Sequence, residues 1–251
     1  MGAKVRLLSQ NAPRCGYHHG DSQRALFETV IERRVDKDDL LKEWQNTLSH
    51  NKGKQEICRF IEKFPALIPE LFSFPTHNGT LHNIIVSQFP LSPKFVIDFA
   101  YASWNSATIF FNFVLVGDSK KKTFNDNLSH SSDFDYSLNL IQEWKKYVNE
   151  NIDLLKDKFS GLLDEDDLRM QFRTRFYLFY GRRSEFRSQQ DMNEKRSKLI
   201  SSLEENDINI MTYDRLSDLL INSPSLYRSS RQAVCSYVNG SFFWKSEIYL
   251  D

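Results

Sequence analysis

Two stretches decide how this chain folds: Lys94-Phe-Val-Ile-Asp98-Phe-Ala-Tyr101, and Thr108-Ile-Phe-Phe-Asn-Phe-Val-Leu-Val116 followed by Gly117-Asp118-Ser-Lys120. The second is a near-continuous apolar run, which reads as a strand buried on both faces. The first carries its apolar run into an acid, and Trp104-Asn105-Ser106 between them is a turn candidate. Neighbouring strands that end on Asp98 and Asp118 bring two carboxylates to one end of a sheet. Such a pair can share a divalent cation that lowers the pKa of an attacking water, and a lysine placed like Lys120 stabilises charge developing on phosphate. Asp98, Asp118 and Lys120 are therefore the candidate catalytic residues, with the two aspartates as metal ligands.

Working outward, helical spacing of apolar residues predicts a helix from Leu26 to Leu48, with Asp36-Lys-Asp-Asp39 suited to a helix N-terminus, and a second from Lys54 to Phe64, with Ile57, Phe60, Ile61 and Phe64 on one face. Glu56 lies beside that face, either as a solvated residue or as a carboxylate leaning toward a metal. Strands fill most of residues 81 to 117, with Asn78-Gly79 as another turn. Leu138, Ile141, Trp144, Val148, Ile152 and Leu155 form one amphipathic stripe. A short strand at Phe176 to Tyr180, a helix from Asp191 to Glu204, a strand at Ile208 to Met211 and a helical turn after Tyr213-Asp214 complete the pattern. The order describes a mixed α/β fold without internal repeats.

The composition narrows the function classes. With 33 basic and 33 acidic residues the formal charge is zero, so nucleic-acid contact has to come from local clusters. No run approaches the roughly 18 apolar residues of a membrane span, and the start of the chain lacks a signal peptide's apolar core. Cys15, Cys58 and Cys235 form no disulfide framework, which fits a reducing cytoplasm. Cys15 with His18 and His19 falls short of the four ligands that zinc needs and reads as a surface loop.

Taken together, several pieces resemble the Shedu family of bacterial anti-phage nucleases. They are Glu56-Ile-Cys-Arg-Phe-Ile-Glu-Lys-Phe-Pro-Ala-Leu-Ile68, Asp98-Phe99, the strand running into Lys120-Lys-Lys-Thr-Phe124, Trp144, Tyr180-Gly-Arg-Arg-Ser-Glu185, Arg196 and Thr212-Tyr-Asp-Arg-Leu216. The resemblance spans about Glu56 to Leu220. It implies a PD-(D/E)xK-like nuclease core, a mixed central sheet flanked by helices, within residues 51–220. Residues 1–50 are then an N-terminal helical extension and 221–251 a C-terminal one. It also implies DNA as the partner and Mg²⁺ as the cofactor if the site is active, with Glu56 a third metal ligand.

The pattern is not met throughout. Aligned without a gap, the family's acid-x-acid or acid-x-lysine falls on Leu115 and Gly117, and its helix glutamine falls on Leu140. A three-residue shift recruits Asp118 and Lys120, but it reverses their facing on the strand unless Gly117 forms a bulge. Gln142 lies about 200° around the helix from position 140. The reading leans toward a degenerate site, with an active endonuclease using Asp98, Asp118, Lys120 and Gln142 as the alternative. Lys120, Lys121 and Lys122 are candidate nucleic-acid contacts at the groove mouth. Arg182 and Arg183 bind either phosphate or, as structural ion pairs, Glu185 or Asp214. A third reading is a structural module of a homo-oligomer, with the first 50 residues between subunits.

Overall fold

The computed structural model describes residues 5–7, 37–49, 53–68, 84–160, 163, 167–186, 190–222, 233–238 and 241–245. At its centre are β3 (Val96–Trp104) and β4 (Thr108–Val116), antiparallel neighbours in a register that sets Phe99 opposite Val114 and Trp104 opposite Ile109. All nine residues of β4 are buried, as its unbroken apolar sequence requires of a strand covered on both sides. Around this pair one sheet assembles in the order β1-β8-β7-β2-β3-β4-β5-β6. The further strands are β1 (Val5–Leu7), β2 (Ile84–Pro90), β5 (Gln171–Phe179), β6 (Ile208–Met211), β7 (Ala233–Val238) and β8 (Ser241–Lys245). β4, β5 and β6 run parallel, as do β2 and β7, so the sheet is mixed. The flanking segments of the chain thus add strands to the same sheet as the centre.

Each face of the sheet buries its own core. On one side Ile109, Phe111, Phe113 and Leu115 of β4 pack with Phe134, Leu138, Ile141 and Trp144 of α3 (Ser132–Glu150) and with Leu155 and Phe159 of α4 (Ile152–Phe159). On the other, Val114 and Val116 pack with Trp44 of α1 (Lys37–Ser49), Ile57 and Ile61 of α2 (Lys54–Lys63), and Tyr213 and Leu216 of α6 (Tyr213–Asn222). Odd and even positions of one strand therefore serve two cores, as a period of two demands. The expected pairing of the two central strands between the helices near residues 54 to 64 and 137 to 155 is present. Among the described residues no helix is long and apolar enough to cross a membrane.

Some boundaries differ from expectation. The stripe read as one helix to Leu155 breaks at Asn151 (φ −134°, ψ 36°), where the Asn151 side chain donates to the Tyr147 carbonyl at 2.8 Å. β5 begins at Gln171 rather than Phe176: its first half alternates exposed and half-buried residues, and only its second half is fully apolar and enclosed. Tyr213 and Asp214 themselves open α6, after Thr212, whose hydroxyl accepts from the Arg215 amide at 3.2 Å. The Cys15, His18 and His19 loop, the first part of the helix expected from Leu26, and Asn78-Gly79 lie outside the described residues.

Candidate functional site

The site is built around an irregularity. Ser87 faces Phe99 and Phe89 faces Ile97 across β2 and β3, yet Ile97 packs into the α3-side core and Phe99 into the α2-side core. Regular alternation would put both on one face, so the phase of β3 breaks at Asp98. The residue across from it, Gln88, has a positive φ of 52°, an uncommon conformation for a side-chain-bearing residue.

Asp98 is 5 % exposed. Its Oδ2 accepts the Val116 amide at 2.8 Å, beyond the last paired residues of β3 and β4. The same oxygen lies 2.8 Å from the Lys54 ammonium at the start of α2, and the Gln88 side chain is a further hydrogen-bond partner. Burial pushes the Asp98 carboxyl above its ordinary value, and Lys54, the Val116 amide and Gln88 offset only part of that.

Each of the other expected ligands has its own surroundings. Glu56 is exposed, two residues from Lys54 and so about 200° around the helix from it. Its Oε2 lies 3.5 Å from where a Cβ on the N-cap Gly53 would stand, folded back over the helix start as a capping-box glutamate does. Leu115 is buried on the α3 side of the sheet. A Cβ at Gly117 would meet Tyr180 Cδ2 at 2.5 Å and the Phe179 carbonyl at 2.8 Å, so the Tyr180 ring fills the place a side chain there would need. Asp118 accepts the Lys120 amide on Oδ1 at 2.9 Å in a local Asx turn. Gln142 is exposed on α3, while Leu140 is half-buried against the core.

The cation clusters are largely spent inside the molecule. Lys121 pairs with Asp133 at 2.7 Å and Lys122 with Asp126 at 3.6 Å, leaving Lys120 as the lysine of the three without an ion pair among the described residues. From Asp118 to Asp135 the chain holds three lysines against four aspartates, so this loop carries no net positive charge. Arg182 forks onto Asp214, Nε at 3.0 Å and Nη2 at 2.9 Å, while the Arg183 amide donates to the same carboxylate at 2.6 Å. The Arg183 guanidinium binds Asp218. Of the two partners expected for these arginines, Asp214 is therefore the one engaged, joined by Asp218. Burial works to raise the Asp214 carboxyl, but Arg182, the Arg183 amide and both guanidinium charges outweigh it and hold the pKa below the ordinary value. The Tyr213 hydroxyl donates to the Gly117 carbonyl at 2.6 Å, tying this corner to the end of β4.

Lys54 and Gln88 are the site residues that sequence reasoning missed. Lys54 opens the very helix that carries Glu56, but only the fold shows which of the two turns toward Asp98. Mg²⁺ asks for oxygen donors around an open coordination sphere. Asp98 offers one carboxylate whose Oδ2 already serves an ammonium and an amide, and no group of three His, Cys, Asp or Glu residues suited to a metal occurs among the described residues.

No curated protein matches the chain. The family described as Shedu protein SduA, C-terminal, matches residues 51–217, a stretch that contains α2, Asp98, the Lys120 loop and the Arg182 corner. The match covers about two thirds of the chain, and the chain belongs to this Shedu family.

Proposed function

We propose that this Shedu-family protein acts in phage defence by binding nucleic acid without cutting it. The observation that carries the reading is the Lys54 ammonium 2.8 Å from Asp98 Oδ2, a built-in monovalent cation on the carboxylate that a nuclease of this type would give to a metal. Placing a divalent cation there means displacing Lys54 and bringing up a second carboxylate; Asp118 is engaged in its own turn and Glu56 is folded back at the helix start. The residues present do not fit Mg²⁺, and no hydrolytic step follows from them.

A cleavage assay on linear, nicked and circular DNA with Mg²⁺ and Mn²⁺, beside a gel-shift measurement on the same substrates, tests the proposal. Binding without cleavage is the expected result, together with phage protection that survives Asp98→Ala in cells. Cleavage that Asp98→Ala abolishes would overturn the reading and favour an active endonuclease in which Lys54, rather than Lys120, supplies the ammonium.

A further inference from the structure

At the corner that follows β5, one cation is left over. Arg196 of α5 (Gln190–Glu204) is half-buried, its guanidinium carbon 4.6 Å from the centre of the Phe186 ring, and it makes no hydrogen bond or ion pair among the described residues. Its neighbours differ in this respect: Arg182 is held by Asp214 and Arg183 by Asp218. Burial and the Arg183 charge both weigh against a cation at Arg196, and Glu185 opposes them. Glu185 is itself committed through one oxygen only, Oε1 accepting the Phe124 amide at 2.8 Å, while its buried Oε2 has no partner.

A guanidinium drawn partly out of water without a carboxylate in ion-pair contact costs free energy that an arriving anion recovers. The Phe186 ring holds the group through a cation–π contact, and a guanidinium can bond two oxygens of one anion at once. We infer that Arg196, with Arg183 beside it, is the seat of a phosphate group, either in a polynucleotide backbone or in a free phosphate. This inference rests on the binding half of the function proposed above and moves the phosphate contact from the Lys120 loop to the Arg183–Arg196 corner. The corner lies at the same end of the sheet as Asp98: the Phe179 carbonyl at the end of β5 accepts the Gly117 amide at 2.8 Å, one residue beyond the Val116 amide that Asp98 holds.

Two measurements on the full chain test it: fluorescence anisotropy with a short labelled duplex at low salt, and the Arg196 Nε–Hε NMR signal during titration with inorganic phosphate. Arg196→Ala is expected to weaken duplex binding about tenfold, and Arg196→Lys to recover only part of the loss, because an ammonium cannot make the paired bonds. Glu185→Gln removes the competing charge, retains an acceptor for the Phe124 amide and is expected to tighten binding roughly threefold. If the duplex binds and phosphate moves the Arg196 signal, the seat is a backbone contact; if the duplex fails to bind but phosphate still moves the signal, the function above falls and the seat stands for free phosphate. Unchanged duplex binding in Arg196→Ala, equal binding in Arg196→Lys, or no response of Arg196 to either ligand would overturn the seat. So would a Glu185→Gln variant that melts early and binds as before, since Arg196 would then be that carboxylate's structural partner. The phosphate titration uses the unmodified chain and stays decisive if the alanine variant fails to fold.

Discussion

Asp98 and Asp214 are both aspartates facing a basic side chain and a backbone amide, yet their acidities move in opposite directions. Asp214 remains a quarter exposed and receives a guanidinium fork, an amide and a second arginine's charge. Asp98 is nearly enclosed and receives one ammonium that is itself 44 % exposed to water. Water weakens the attraction of the lysine while the carboxylate bears the full loss of hydration. A carboxylate that consolidates a fold and one kept at a cost to it can thus look alike in a list of ion pairs. Asp214 is the first kind and Asp98 the second.

The largest expected effect that would test this contrast is at Asp214. Asp214→Ala strands the Arg182 fork and the Arg183 amide, and is expected to cost about 3 kcal/mol in chemical denaturation. A loss no greater than that of an ordinary surface substitution would erase the distinction. Asp98→Ala leaves the Val116 amide without its acceptor and is expected to cost about 2 kcal/mol. Asp98→Asn keeps an acceptor and removes the buried charge, so its stability at neutral pH should equal or exceed that of the unmodified chain, as thermal melts can check.

The pH dependence sharpens the same comparison. The lowered pKa of Asp214 means that its stabilisation is full above the unfolded value of 3.8 and is lost as pH falls through the folded value. The raised pKa of Asp98 gives the reverse: from 3.8 upward the unfolded chain gives up this proton first, so stability falls until pH passes the raised folded value. Asp98→Asn should therefore abolish a decline on the rising limb, while Asp214→Asn should flatten the acid loss; melts across pH that show the two variants alike would refute the assignment. The smallest effect belongs to Lys120→Ala. It should change stability by less than about 0.5 kcal/mol and, if the residue touches phosphate at all, lower the slope of log affinity against log salt by about 0.9.

Much of the architecture could be read from residue patterns, because burial writes itself into them: β4 is apolar at nearly every position and Ile208 to Met211 is a strand as expected. The unread half of β5 carries Gln171, Arg173 and Arg175, polar residues in a strand whose outer edge exceeds the length of β6 beside it. The site was legible only at Asp98. Facing decided the rest: Leu115 and Gly117 turn to the α3 side, Glu56 turns away from the residue that Lys54 meets, and the phase break at Gln88 and Asp98 leaves no trace in hydropathy. The lysine run read as a basic patch, but aspartates brought close by the fold cancel it.

The parallel pairing of β7 with β2 bears on where this protein can be divided. Val86 and Ser87 pair with β3 on one side, and Ile84 to Ser87 pair on the other with Ala233 through Ser236 of β7, a strand reached only after the family-matched stretch has ended at residue 217. A fragment trimmed to that stretch keeps β2 and discards its outer neighbour, baring a row of unpaired backbone groups beside Ile85 and Val86, which are fully buried in the whole chain. Such fragments would stick to one another along that open seam. The matched stretch expressed alone should therefore self-associate through β2, an outcome that gel filtration beside the whole chain can check.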